Sequence, residues 1–144
     1  MSGGDVLLAF DFGLRRIGIA SGNLITCTAS PVTTLDNGRS LPWHQIDQLV
    51  NTWQPSTLLV GLPPKSGASS ISEQVENFAA ELKDRYDVTV VTVDETLTSH
   101  SAEQQLREAR RSGLLKQRIG KSRLDRHAAC LIAEQWMHES QHVR

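Results

Sequence analysis

The sequence is poor in features that would indicate a secreted, membrane-bound or zinc-stabilised protein. Only two cysteines occur, Cys27 and Cys130, and neither belongs to a CxxC pair or another ligand-like group. Neither a disulfide framework nor a structural zinc site is therefore expected. No apolar run approaches the length of a membrane span, and the N-terminal residues lack the basic and apolar regions of a signal peptide. These absences predict a cytoplasmic protein that does not contact a membrane.

The chain also lacks a strong net charge, a domain linker and an internal repeat. Its formal net charge is -1, from 15 Lys and Arg against 16 Asp and Glu. Any attraction for a polyanion must therefore come from local segregation of charge. With 144 residues, of which 39% are hydrophobic, the chain is expected to form a single domain over residues 1–144 around one core.

Such segregation of charge is present between Ala109 and Leu124. This segment, ARRSGLLKQRIGKSRL, contains six of the 15 Lys and Arg residues and no acid. A solvated linker is the alternative, but six cations without an acid are unusual for one. The two glycines of the segment suit a flap that becomes ordered on RNA or DNA. We therefore predict that Arg118 and Lys121 bind substrate phosphates.

Hydrophobic patterning predicts strands at the start of the chain and strands alternating with helices after them. We expect a hairpin over residues 5–21, a strand over 26–35, a helix from Pro42 that ends before Pro55, a strand over 57–61, a helix around 71–82, a strand over 88–93, a helix from Thr98 or Ser99 to about Arg111, and a last helix from Asp125 to about His138. This order is typical of an α/β fold with a mixed sheet.

Acidic residues stand at the ends of three predicted elements. The apolar run VLLAF stops at Asp11, the run VTVVTV stops at Asp94 and Glu95, and Asp125 follows the basic segment. A turn-initiating role explains Asp11 equally well, and acids near a helix start also favour the helix dipole. Because adjacent strand residues face opposite sides, only one of Asp94 and Glu95 is expected to point at a given site.

Asp125 is the strongest candidate among these acids. It shares a helical stripe with Ala128, Ala129, Ile132 and Trp136, so its carboxylate is predicted on the face that packs against the sheet. A charge on an inward face is costly unless it is paired or bound to a metal, although a helix N-cap role is an alternative. Three converging carboxylates would suit Mg²⁺ or Mn²⁺, and such a site hydrolyses phosphodiester bonds.

Polar residues near these acids are candidates for binding the phosphates of a substrate. Arg15 and Arg16 stand in the turn after Asp11, and Lys65 stands in the loop after the predicted strand over 57–61. Thr98 could donate to a phosphate at a helix N-terminus. Solvation of the cations and capping by Thr98 are the alternatives.

Four short motifs, taken together, carry a resemblance to a known family. They are DFGLRRIGIA from Asp11, VGLP from Val60, VDETLTS from Val93 and DRHAA from Asp125. In this order, and over nearly the whole chain, they resemble the YqgF/RuvX family of pre-16S rRNA nucleases, which are also described as Holliday junction resolvases.

The resemblance implies an RNase H-like fold with a five-stranded mixed sheet and helices on both faces. It also implies a metal-dependent nuclease with its acids at Asp11, Glu95 and Asp125, where the family's Asp-Glu-Arg run favours Glu95 over Asp94. The implied role is trimming of the 5′ end of the 16S rRNA precursor in ribosome biogenesis, with the small ribosomal subunit as a partner. Thr96 replaces the family's arginine, and Lys65 begins a loop that usually carries Asp-Gly, so the substrate preference stays open.

Three other functions are compatible with parts of the sequence. A Holliday junction resolvase would act on branched DNA and would require a symmetric dimer with two sites. A non-catalytic RNA-binding protein could retain the same acids without turnover. An actin-like ATP-binding domain would need a second domain to close over the nucleotide, and 144 residues do not supply one.

Overall fold

A computed structural model describes residues 5–62, 69–94 and 121–142, including the side chains of all of these except 69–72, 94, 121–125 and 140–142. Within these ranges the elements are β1 (Val6–Phe12), β2 (Arg16–Asn23), β3 (Thr28–Asp36), α1 (Trp43–Trp53), β4 (Thr57–Leu62), α2 (Ser69–Tyr86), β5 (Thr89–Asp94) and α3 (Lys121–His142). The helix predicted from Thr98 or Ser99 to about Arg111 lies outside the described residues.

The five strands form one mixed sheet in the order β3-β2-β1-β4-β5. Strand β2 runs antiparallel to both of its neighbours, whereas β1, β4 and β5 are parallel to one another. The carboxyl ends of these three parallel strands therefore meet at one end of the sheet. In open α/β sheets, ligands bind beyond such carboxyl ends.

Strand alternation divides the core into two layers, one on each side of the sheet. Leu8, Phe10 and Phe12 of β1 point into the layer covered by α1 and α2. Leu7 and Ala9 point into the opposite layer, where α3 packs on the sheet. The predicted arrangement of a five-stranded mixed sheet with helices on both faces is confirmed.

The α1–α2 layer is organised around the aromatic ring of Phe78. Its ring centroid lies 5.6 Å from that of Phe10, 5.0 Å from that of Phe12 and 5.5 Å from that of Trp43. Arg85 caps this group, with its guanidinium carbon 4.1 Å from the centroid of the Trp43 ring. These contacts fix α2 against Phe10 and Phe12, which lie near the carboxyl end of β1.

Helix α3 lies unusually close to the sheet at Gly22. A Cβ atom at this position would lie 2.9 Å from Cγ and Cδ1 of Leu7 and 3.3 Å from Cε of Met137. Both neighbours are buried, so little space exists for any side chain between β2 and α3. The glycine thus sets how near α3 comes to the central strands.

The start of α3 differs from the sequence prediction. The helix begins at Lys121 rather than at Asp125, so the last residues of the basic segment are helical. None of these residues is proline or glycine, and Gly120 is the last helix-breaking residue before Asp125. Asp125 is consequently the fifth residue of the helix, and the N-cap interpretation of this aspartate is wrong.

The inward stripe of α3 was also predicted only in part. Ala129 and Ile132 are buried as expected, whereas Ala128 and Trp136 are only partly buried. Ala133 is fully buried in their place, because helical spacing from Ala129 repeats on the same face after four residues. Burial raises the pKa of the Cys130 thiol on this helix to about 11, so that the residue packs as a neutral apolar group.

The described helices bear on the prediction that the chain does not span a membrane. In the part of the chain that the structure covers, none of the helices combines the length and the apolar character that crossing a membrane requires.

Candidate active site

Asp11 lies near the carboxyl end of β1, on the sheet face that α3 covers. It alternates with Leu7 and Ala9, which pack against α3, while Phe10 and Phe12 on either side of it are buried in the opposite layer. Asp11 is partly buried, whereas the residues on either side of it are buried. The carboxylate therefore lies where the apolar layer under α3 ends, at the carboxyl end of β1.

Glycines flank Asp11 on both neighbouring strands. Its direct partner on β2 is Gly18. On β4, Val60 pairs with Phe10, so Gly61 stands level with Asp11 one residue later. Because neither glycine has a side chain, no side chain of β2 or β4 stands beside Asp11 in its row of the sheet. A ligand can approach the backbone closely at such a place.

Helix α3 brings residue 125 to the same end of the sheet. Met137 lies against Gly22, near the start of β1, and Ala129 packs on Ala20, which pairs with Ala9. One helical turn before Ala129, about 6 Å further along the axis, is Asp125. Two strand residues beyond Ala9, a similar distance of about 6.6 Å, is Asp11. The helix backbone at residue 125 therefore lies beyond Ala9, towards the carboxyl end of β1.

The third predicted acid is at the end of β5. Asp94 is the last residue of this strand and pairs with Leu62 of β4, whereas Glu95 lies outside the described residues. Val93, directly before this acidic pair, packs in the α3 layer. Among the side chains that the structure describes, no three His, Cys, Asp or Glu residues form a group that could hold a metal ion.

A tight turn joins β1 to β2 and presents the two predicted arginines. A Cβ atom at Gly13 would lie 2.7 Å from the backbone oxygen of Arg16, so the turn requires glycine at this position. Asn37 fastens the turn to the end of β3. Its backbone N–H donates to the Arg15 carbonyl at 2.7 Å, and its side-chain Nδ2 donates to the Gly13 carbonyl at 2.8 Å.

The arginines line an open groove of about 480 Å³ beside this turn. Thr34 and Asp36 of β3 also line the groove. On β2, Thr34 pairs with Gly18 and Asp36 pairs with Arg16. Gly18 also pairs with Asp11, so Thr34 on the groove wall and Asp11 stand in the same row of the sheet, on either side of Gly18. We call this groove the arginine groove.

The remaining predicted substrate contacts are located only in part. Lys121 is the first residue of α3, at the end of the helix nearer to Asp125. The predicted contacts that lie outside the described residues are Lys65, Thr98 and Arg118. Asn37 was not singled out from the sequence. Its hydrogen bond to Gly13 spans 24 residues, and no local pattern signals it.

Comparisons with known proteins agree with this architecture. Residues 5–139 match the model of the RuvX family, which is described as Holliday junction resolvase. A protein of Legionella pneumophila (strain Paris), named "Putative pre-16S rRNA nuclease", is 37% identical over 139 residues, covering 94% of this chain and 97% of its own length. A protein of the same name from Francisella tularensis subsp. tularensis (strain WY96-3418) is 34% identical over 137 residues, covering 93% and 97%.

Solved structures with low sequence identity share the fold. T. thermophilus RuvC in complex with Holliday junction substrate superposes with a TM-score of 0.63 at 11% identity, covering 95% of this chain and 96% of that chain. The fowlpox virus Holliday junction resolvase gives a TM-score of 0.56 at 11% identity, covering 94% and 99%. The predicted RNase H-like fold is thereby confirmed. The match to the family model over residues 5–139, together with relatives of 34–37% identity, establishes that the chain belongs to the RuvX family.

Proposed function

We propose that this protein is a metal-dependent nuclease that hydrolyses phosphodiester bonds and trims the 5′ end of the 16S rRNA precursor in the cytoplasm. The observation that carries the proposal is the placement of Asp11. It is a partly buried carboxylate between two strand glycines, at the end of the sheet towards which α3 carries residue 125. Relatives named as pre-16S rRNA nucleases support RNA as the substrate.

The proposed metal ligands are Asp11, Glu95 and Asp125. Glu95 is preferred to Asp94 because VDETLTS matches the family's Asp-Glu-Arg run, whose glutamate is the acid of the site. Three carboxylates offer only hard oxygen donors, and this set fits Mg²⁺ or Mn²⁺ better than zinc. When bound, the metal supplies an activated water and stabilises the departing oxygen.

The protein's own residues bind and orient the substrate strand. Arg15 and Arg16 attract its phosphates into the arginine groove, whose Thr34 shares a row of the sheet with Asp11. Gly18 lets the sugar-phosphate backbone lie close to the sheet beside the carboxylate. The strand is thus held with one phosphate at Asp11 and its neighbours over β2 and β3.

More distant contacts complete the proposed interface. Lys121 at the start of α3 and Arg118 before it in the sequence attract phosphates. Lys65, which follows β4 in the sequence, and Thr98, which follows β5, make further contacts with the substrate backbone. The partner would be precursor 16S rRNA within the small ribosomal subunit. Branched DNA is a second candidate substrate, favoured by the family description as Holliday junction resolvase. A binding protein without catalysis is the third possibility.

The test is a cleavage assay on two substrates. Purified protein is incubated with a 5′-extended 16S rRNA precursor fragment or with a four-way DNA junction, in Mg²⁺, Mn²⁺ or EDTA. We expect metal-dependent cleavage of the RNA. Asp11→Asn should lower the rate by about 100-fold or more, since even outer-shell partners of a catalytic metal contribute about 10- to 100-fold.

Asp84→Asn is the matched control, because Asp84 is an exposed carboxylate on α2, outside the candidate site. Cleavage of the junction alone would make the protein a resolvase. Equal rates for Asp11→Asn and the unmodified chain would remove Asp11 from the mechanism. Tight RNA binding without cleavage in any metal would favour the non-catalytic function.

A further inference from the structure

A second cavity lies on the other side of the β1–β2 turn from the arginine groove. It has a volume of about 280 Å³ and is half open to solvent. Phe12 and Phe78 form its apolar floor, being 6% and 2% exposed with ring centroids 5.0 Å apart. Leu14, at the tip of the turn, lines it with a side chain that is 52% exposed. An exposed leucine beside a buried aromatic floor gives an apolar surface that a flat ring can cover.

The rim of this cavity is polar but carries little charge. Asn37, Gln74 and Asn77 contribute three side-chain amides, and Glu81 contributes a carboxylate. Arg85 holds this carboxylate through a bond of 3.0 Å from its Nε to Oε2 of Glu81. Among the described residues that line the cavity there is no lysine or arginine. The lining therefore suits a neutral ligand with hydrogen-bonding edges and disfavours a phosphate.

The β1–β2 turn is the wall between this cavity and the arginine groove. Leu14 lines the cavity, and the next residue, Arg15, lines the groove. In the same way, Asn37 lines the cavity and Gly38 lines the groove. A ligand that crosses this wall would meet two arginines on one side and an apolar floor with amides on the other. A nucleotide has this division of chemistry between its phosphate and its base.

We propose that this cavity binds one unpaired nucleobase of the substrate strand, while the adjoining phosphates lie in the arginine groove. This inference rests on the proposed nuclease function and extends it to recognition of a single-stranded nucleotide. The exposed Leu14 side chain receives the face of the base, and the amides of Gln74 and Asn77 donate to and accept from its edge. Glu81 favours guanine, which offers two neighbouring N–H donors to a carboxylate.

The test compares RNA with an oligomer that has the same phosphates but no bases. The Asp11→Asn chain is titrated with a fluorescent single-stranded oligoribonucleotide and with an abasic ribose-phosphate oligomer of equal length. Gln74→Ala combined with Asn77→Ala should weaken binding of the RNA about tenfold and leave binding of the abasic oligomer unchanged. Both residues are exposed on α2, so the substitutions do not disturb the core.

Asn51→Ala, an exposed amide on α1 outside the cavity, is the control variant and should bind both oligomers normally. Glu81→Gln should remove a preference for guanine over uracil. Arg85→Gln breaks the same ion pair but keeps the carboxylate, so it should retain that preference.

The outcomes separate this inference from the proposed function. If the unmodified chain cleaves RNA but the double variant binds RNA and the abasic oligomer as before, the cavity does not bind a base. Equal weakening for both oligomers would also refute base binding, since the loss would then concern phosphates. If the unmodified chain neither binds nor cleaves RNA, the proposed function itself fails and this inference fails with it.

Discussion

Replacing Gly22 with alanine tests how closely α3 must approach the sheet for the site to work. The added methyl carbon would lie 2.9 Å from Cγ and Cδ1 of Leu7 and 3.3 Å from Cε of Met137. Carbon atoms prefer separations of about 3.5–4.0 Å, so the Leu7 side chain, which packs against α3, must shift by roughly 0.6 Å or more. Met137 is a flexible side chain, but Leu7 is fully buried between β1 and α3 and has no free direction in which to move.

We expect the Gly22→Ala variant to lose about 1–3 kcal/mol of folding free energy, the usual cost of an extra methyl group in a packed core. For a domain of this size, that loss corresponds to a drop in Tm of roughly 4–12 °C. A shift of α3 also moves residue 125 relative to Asp11. Because a misplacement of about 1 Å can cost about 100-fold in rate, cleavage should fall even well below the melting temperature.

The assay pairs thermal unfolding with RNA cleavage measured at a temperature where every variant is folded. Gly38→Ala is the matched control, since its added Cβ would lie 3.5 Å from Oδ1 of Asp36, an ordinary contact. That variant should keep its Tm within a few degrees. Combining Gly22→Ala with Leu7→Ala should destabilise the protein less than the sum of the two changes, by about 0.5–3 kcal/mol. Additive losses, or a stable Gly22→Ala variant with full activity, would refute the reasoning.

Three further outcomes are expected. Burial and the hydrogen bond to Asp47 raise the pKa of Tyr86. The neutral Tyr86 side chain therefore stabilises the fold below about pH 10, and this stabilisation is lost as the pH rises further. Tyr86→Phe should lower the free energy of unfolding by about 1 kcal/mol at pH 7 and remove this alkaline loss of stability, as measured by unfolding titrations at different pH values. Asn37→Ala should lower the free energy of unfolding by about 1 kcal/mol and weaken RNA binding, because it removes the side-chain bond that holds the β1–β2 turn. An unchanged RNA affinity would show that this turn does not contribute to substrate binding. Replacing Arg118 and Lys121 with alanine should reduce the slope of log K against log salt concentration for single-stranded RNA by about 1.4. An unchanged slope would show that these two residues do not bind phosphates and that the basic segment is a linker.

The sequence predicted the order of strands and helices well because local signals are strong there. Pro55 marked the end of α1, where Gln54 adopts a left-handed conformation and its N–H bonds to the carbonyl of Val50. The apolar run that ends at Asp11 predicted β1 to within a residue or two at each end. Such features depend on neighbouring residues alone, and neighbours are visible in a sequence.

Features that depend on distant residues were predicted less well. The start of α3 was placed four residues too late, because the cluster of cations was interpreted as a loop although nothing from Lys121 onward breaks a helix. The pairing of Gly18 with both Asp11 and Thr34 requires the register of three strands, and register is not visible in local patterns. Of the three predicted acids, the structure describes the surroundings of Asp11 alone, and the roles of Asp11, Glu95 and Asp125 all stay predictions.

The outer strand β3 shows how the protein avoids unwanted partners. Its pairing with β2 shifts register between Ile19 and Ala20, so that Val32 is an extra residue, and Pro31 follows the exposed Ser30 on this strand. A proline has no N–H to offer a further strand, and a bulge bends an edge away from flat pairing. This edge of the sheet is therefore a poor template for intermolecular β-sheet. A symmetric pair of subunits, which cleavage of a four-way junction would require, would have to form through another surface and leave β3 free to border the nucleic acid.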